Sequence, residues 1–244
     1  MQLTFRIQSS GAWSPRYQQI ADWQQWPHSL CDEDHLASAP TLPQVPAMQR
    51  RRFSKLTKML LDAAFQCDAP AQCRTIFASR HGELNRTVEL LEDIVQEQPI
   101  SPMGFSQSVH NTASGIFSIL THNRAASTSI AASETTLEQA LTEAYGQLCE
   151  DNSDVLLVFG DEPVSDVYKE FIHEPELPIA IALQLSLPTP DSPPATLLQL
   201  HTQPSAEQYR DAPPMSYGQL LHAIAGKHPL YGRLNRFIWQ LSHG

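Results

Sequence analysis

The run Val155-Leu156-Leu157-Val158-Phe159 constrains this chain more than any other feature. Five apolar residues follow one another between Asp154 and the polar stop Asp161-Glu162. The run is too short for a helix and leaves no face for water. Residues 154–162 therefore read as a strand covered on both sides, the pattern of a parallel sheet with helices above and below.

The segments around it supply those layers. Residues 2–8 alternate apolar and polar and read as a strand. Residues 17–26 are rich in aromatics, and 27–47, with Pro27, Pro40, Pro43 and Pro46, read as an irregular excursion. A helix is predicted from about Met48, with Phe53, Leu56, Leu60 and Ala63 or Ala64 on one face. Residues 74–79 read as a short buried strand, and 83–97 as a helix with Leu84, Val88, Leu91 and Val95 on one face. Residues 103–121 read as a further helix, whose small residues Ala113, Ser114 and Gly115 suggest close packing against another backbone. Residues 127–132 suit a short central strand. Glu134 to Leu148 forms a helix with Leu137, Leu141, Ala144 and Leu148 inward. Beyond 166, segments 178–188 and 195–203 read as a hairpin or two neighbouring strands, and 215–244 as one or two helices broken at 226–232. This order argues for an α/β fold with a mainly parallel sheet.

Composition narrows the function. The 244 residues, 41% hydrophobic, suffice for one sizeable core. Only 17% are charged, consistent with a surface partly covered by a partner or with one rich in neutral polar groups. The net charge of −10 is uneven, with nine Lys/Arg against six Asp/Glu in residues 1–80 and seven against twenty thereafter. An acidic chain does not suit general nucleic-acid binding. Cys31, Cys67, Cys73 and Cys149 form no zinc-type spacing, so no metal or other cofactor is expected. No signal peptide is expected from MQLTFRIQSS and no apolar run reaches membrane-spanning length, which points to the cytoplasm.

The usual catalytic templates are missing. There is no GxSxG elbow, no Walker A and no GxGxxG. His110 lies beside Ser108, Asn111 and Thr112, but helix neighbours point in different directions, so it reads first as a packing residue.

Residues 127–162 hold a distinctive sequence: a small-residue strand STSIAAS, a helix TTLEQALTEAYGQL, and a buried strand ending in FGDE. It resembles the nucleophile region of the thiolase-like β-ketoacyl synthases. In that family a strand delivers a cysteine to a helix N-terminus, whose amides favour the thiolate. Matching the family pattern to Ala131-Ala132-Ser133-Glu134-Thr135-Thr136-Leu137 puts Ser133 in the cysteine's place. A hydroxyl without a base is a poor nucleophile, and Glu134 adds unwelcome negative charge. Neither HTQPSAEQYRD nor AIAGKHPLYG resembles the family's histidine motifs. Upstream, RRRFSKLTKMLLDAA, ASRHGELNRTVELLEDI and ISPMGFSQSVHNTASGIFSI resemble short ketosynthase-like chain length factors of aryl polyene clusters, over residues 1–165.

The resemblance implies a single ketosynthase-like domain, 1–244. Its thiolase-like N-terminal half would span 1–165, followed by a hairpin and C-terminal helices at 166–244. The implied fold is a truncated thiolase-like α/β fold, a mixed sheet covered by helices. The implied function is a non-catalytic subunit that pairs with a full-length β-ketoacyl-ACP synthase and helps bound its acyl tunnel. Ser127, Thr128, Ser129, Ile130, Ala131 and Ala132 become the expected interface strand, with faces left bare by the missing half also covered by the partner. Phe105, Phe117 and Ile130 become candidate tunnel-wall residues, with ordinary core as the alternative. The basic run Arg50, Arg51, Arg52, Lys55 and Lys58 becomes a candidate dock for an acidic acyl carrier protein, with a solvated helix face as the alternative. Two other readings stay open: a standalone binding or scaffold module, and an acyltransferase built on Ser133 or His110.

Overall fold

A computed structural model of the protein describes residues 1–26, 38–172, 178–189 and 193–244. Its described strands form one eight-stranded sheet. In chain order they are β1 (Gln2–Trp13), β2 (Arg74–Ala78), β3 (Ser127–Ile130), β4 (Val155–Asp161), β5 (Ile179–Ser186), β6 (Thr196–His201), β7 (Leu230–Leu234) and β8 (Phe237–His243). Across the sheet the order is β3-β2-β4-β5-β1-β6-β8-β7. The sheet is mixed. Parallel pairing is confined to β3-β2-β4, and the other pairs are antiparallel, so the mainly parallel sheet expected from element order is corrected.

The helices are α1 (Ala47–Arg50), α2 (Lys55–Phe65), α3 (Leu84–Val95), α4 (Pro102–Ser106), α5 (Thr112–Thr121), α6 (Thr136–Asp151), α7 (Ala206–Asp211) and α8 (Tyr217–Gly226). On one face, α6, α8 and a 3-10 turn at Ile20–Gln25 bury Phe5, Leu157, Leu183, Trp239 and their neighbours. On the other, α2 and α5 cover Trp13, Phe77, Leu156 and Val158. β4 thus has helices on both sides, as its apolar run requires. The inward face of α6 is as expected, with Leu137, Leu141, Ala144 and Leu148 all fully buried.

The chain begins in the middle of the sheet. β1 pairs through its C-terminal half with β5 and through its N-terminal half with β6. β5 ends opposite Arg6, and β6 starts opposite Ile7 on β1's other flank. The segments expected to neighbour each other are therefore separated by β1. An irregularity in the β1–β5 register between Ile7 and Ser9 lies where β1 changes partners. Further along, Gly11 lets β1 and α2 approach closely, since a Cβ there would lie 2.1 Å from the Ala63 carbonyl oxygen.

Two expected long helices are each divided. Ser54 caps α2 by accepting from the Thr57 amide, so α2 starts after the arginines and α1 is a separate turn. The expected helix 103–121 breaks at 107–111 into α4 and α5. The C-terminal segment also differs, because after α8 the chain forms the hairpin β7–β8 with Asn235 at φ 55° in its turn. Buried Phe237, Trp239 and Leu241 alternate along β8 and reach the core.

The outer strands differ. On β7, the Met215 amide donates to Arg233 O at 2.9 Å and the Arg233 amide to Pro213 O at 2.7 Å, so residues 213–215 shield that edge. β3, expected to be central, is the opposite outer strand, and β2 is its only partner among the described residues.

Candidate functional site

The parallel strands β2, β3 and β4 end together, and the polar groups of interest cluster at their C-terminal ends, where open α/β sheets place sites. β3 is fastened to its neighbours by small hydroxyls. Ser127 Oγ accepts from Thr75 Oγ1 at 2.8 Å and lies 2.5 Å from Ser114 Oγ on α5. On the other face, Gln147 Nε2 of α6 donates to Thr128 Oγ1 at 3.3 Å. The Thr75 and Ser79 amides bond the carbonyls of Ala126 and Ile130. Bonding alternates along a parallel strand, so the N–H and C=O groups of Ser127 and Ser129 face away from β2.

Between β3 and α6 the backbone turns sharply. Ser133 has φ 52°, a left-handed conformation uncommon for a residue with a Cβ. Thr136 braces the turn, its hydroxyl accepting from the Ala132 amide at 3.0 Å and donating to Ser133 O at 2.7 Å. Asn235 braces it from the C-terminal hairpin. Its Nδ2 donates to Glu134 O at 2.7 Å and to Glu138 Oε1 at 2.8 Å. Glu138 is fully buried, and its Oε2 has no partner among the described residues. Burial pushes its carboxyl up to about 7, against the opposing hydrogen bonds from its own amide and from Asn235.

Ser133 itself is exposed, and no histidine or carboxylate among the described residues hydrogen-bonds its hydroxyl. His110 is engaged elsewhere, with Nε2 2.8 Å from Ser79 O and its ring against Gly82. The pairing that an acyltransferase on Ser133 and His110 would need is not formed. Of the candidate wall residues, Phe105 is 67% exposed on α4, while Ile130 is partly buried against the core. Phe117 is core, its ring tilted against Phe65 and Phe77.

The basic run is not one helix face. Arg50 Nη1 donates to Leu42 O at 3.3 Å from the end of α1, Arg51 and Arg52 are exposed before α2, and Lys55 opens α2. Lys58, one turn on, is half-buried. Burial lowers the pKa of Lys55, opposed by the charge of Glu162. The arginines therefore precede the α2 N-terminus and do not oppose its dipole from within.

Sequence reasoning missed an acidic cluster in which Glu83 is buried and Asp161 and Glu162 are partly so. Asp161, at the end of β4, accepts from Ser79 Oγ at 2.7 Å and from the amides of Arg80 and His81 at 2.9 and 3.3 Å. Glu83 accepts from Ser54 Oγ at 2.8 Å and Thr57 Oγ1 at 2.6 Å. Burial raises the pKa of Asp161, Glu83 and Glu162 above the usual carboxylate range. Their partners come from the protein itself, so the cluster ties the loop after β2 to β4 and α2. An open cleft of about 560 Å³ beside it is lined by Phe53, Lys55, Asn85, Arg86, Glu162 and Ser165. The signal was present in the FGDE and SRHGE ends of two strands, but nothing in the sequence said that they meet. No described cluster of three His, Cys, Asp or Glu could hold a metal, and no described helix is long and apolar enough to cross a membrane.

Residues 23–240 match the family model of the β-ketoacyl synthase N-terminal domain. The chain belongs to that family. The match runs well past residue 165, so the ketosynthase likeness includes the tail that the sequence motifs left unassigned. The ketosynthase-like fold is similar to a chain in the complex of the ketosynthase ApeO with its chain length factor ApeC from Xenorhabdus doucetiae. There the TM-score is 0.77 at 24% identity, covering 98% of this chain and 99% of that one. The ishigamide ketosynthase/chain length factor gives 0.63 at 11%, covering 92% and 81%. A β-ketoacyl synthase from Burkholderia phymatum gives 0.53 at 14%, covering 93% and 71%. At these identities the likeness is one of fold, the truncated thiolase-like fold with its mixed sheet. No curated protein matches the sequence.

Proposed function

We propose that this chain is a non-catalytic, chain-length-factor-like subunit of a β-ketoacyl-ACP synthase. It pairs with a full-length, active synthase through β3 and helps bound the acyl tunnel during polyene- or polyketide-type elongation. The observation that carries the reading is the turn between β3 and α6. There a strand meets a buried helix through a sharp turn, which supports the family resemblance that puts exposed Ser133 in the cysteine's place, with no base on its hydroxyl among the described residues. Beside it, β3 has no partner on its outer side among the described residues, an edge suited to strand addition.

The surroundings support an interface there. Gly115 sits mid-way along α5, where a Cβ would meet nothing within 4 Å among the described residues, and Ile119 one turn on is 73% exposed. The chain's own packing thus gives no reason for a small residue at 115. Phe105 and Ile130 are the wall residues of this reading, and the cytoplasm is its compartment. Arg51 and Arg52 remain the proposed contacts for an acidic acyl carrier protein, with Arg50, Lys55 and Lys58 secondary because all three are half-buried. Not every bare face needs the synthase, since the exposed positions of α6 include Gln139, Glu143 and Glu150, which are suited to water.

The test is co-expression with the β-ketoacyl-ACP synthase of the same organism, followed by size exclusion with mass determination. A stable heteromer is expected. A well-behaved monomer that ignores the synthase would remove the proposal.

A further inference from the structure

The left-handed turn at Ser133 is fixed from two directions. Thr136 holds it from within α6, and Asn235 holds it from a hairpin a hundred residues away in sequence. Asn235 is well placed to do so. It occupies a left-handed position itself, at φ 55°, which asparagine tolerates better than most residues. The Tyr209 hydroxyl donates to Asn235 O, Arg233 Nη1 donates to Tyr209 O at 3.0 Å, and the Arg233 guanidinium lies 4.9 Å from the Tyr209 ring centroid. The amide therefore projects from a braced turn. Both hydrogens of its Nδ2 are used, one on the Glu134 carbonyl and one on a carboxylate with no other side-chain partner among the described residues.

We propose that Asn235 is the positioning residue of the junction between β3 and α6. Its amide holds the turn at Ser133, and through it the direction of the β3 edge that a partner strand would meet. The second part rests on the reading of β3 as the interface. The first concerns this chain alone. In this arrangement the C-terminal hairpin is the brace for the pairing edge, although it lies at the opposite end of the sheet order.

The test combines amide hydrogen exchange on the isolated chain with affinity for the co-purified synthase. Asn235→Gly keeps a residue suited to φ 55° and removes only the amide. It should speed exchange across residues 127–136 on the order of tenfold, with β4 and β5 unchanged, and should weaken association with the synthase. Asn235→Asp keeps the size but turns an oxygen toward the Glu138 carboxylate, and should loosen the same residues further. Pairing it with Glu138→Gln restores one donor–acceptor contact and should recover part of the protection, which a general loss of stability would not do. Unchanged exchange at 127–136 in both single variants would overturn the proposal. Faster exchange there with unchanged affinity would overturn its link to the edge. A wild-type chain that does not bind the synthase would instead count against the subunit reading, while the exchange result still decides the role of Asn235.

Discussion

At Ser133 the backbone conformation costs an L-residue with a Cβ on the order of 1 kcal/mol. Ser133→Gly should therefore stabilise the isolated chain by roughly 0.5–1 kcal/mol, read as a raised melting temperature. Ser133→Ala, by contrast, should leave turnover of the synthase complex within about twofold, because no base among the described residues activates the hydroxyl. A loss of a hundredfold or so would put the chain back among the enzymes. Glu138 gives a prediction with a sign. Its carboxyl is raised from 4.5 to about 7, so the folded state holds the proton more tightly than the unfolded chain. That contribution is fully present below pH 4.5 and is lost as pH rises through 7. Glu138→Gln keeps an acceptor for Asn235 and carries no titration. Between pH 5 and 8 its melting temperature should fall less than that of the wild type. At pH 8 the variant should be the more stable, by up to about 3 kcal/mol.

At the scale of elements, Gly115 separates two kinds of reason for a small residue. Gly11 is small because Ala63 is against it, whereas Gly115 faces open space. Gly115→Ala should stabilise the isolated chain by about 0.5–1 kcal/mol through helix propensity. Gly115→Trp should leave its melting little changed and reduce co-purification with the synthase. The same distinction explains what the sequence could tell. β4 and the inward face of α6 were legible because each pattern is satisfied within one element and its immediate cover. The insertion of β1 between β5 and β6 was not, because strand patterning is the same whichever strand lies alongside. The hairpin β7–β8 read as helix because apolar residues crowd both faces of β8, with Ile238 buried as well as Phe237, Trp239 and Leu241, which masks the period of two. At the junction, the place of Ser133 was legible from the motif. The roles of Glu138 and Asn235 were not, since they meet only when the C-terminal hairpin folds back onto α6.

At the scale of the whole molecule, one apolar helix face is left largely uncovered. Leu84, Val88, Leu91 and Val95 read in the sequence as one face of α3. Only Val88 is buried, while Leu91, Ile94 and Val95 are 48%, 53% and 83% exposed. Nearby in sequence, Ile100, Met103, Phe105 and Val109 are exposed as well. Amphipathicity states that a helix has an apolar face. It does not state which molecule covers it. A monomer with this much exposed apolar side chain is expected to associate with itself when its partner is absent. The double variant Ile94→Glu and Val95→Glu should therefore reduce concentration-dependent self-association of the isolated chain, measured by sedimentation velocity. Its melting temperature should stay within a few degrees of wild type, because neither side chain belongs to the core. If α3 also contributes to the synthase contact, the same variant lowers the yield of heteromer. If the contact is limited to β3 and α5, heteromer yield is preserved while self-association still falls. The comparison thus maps how far the interface extends from the strand edge across the helices on that side of the sheet.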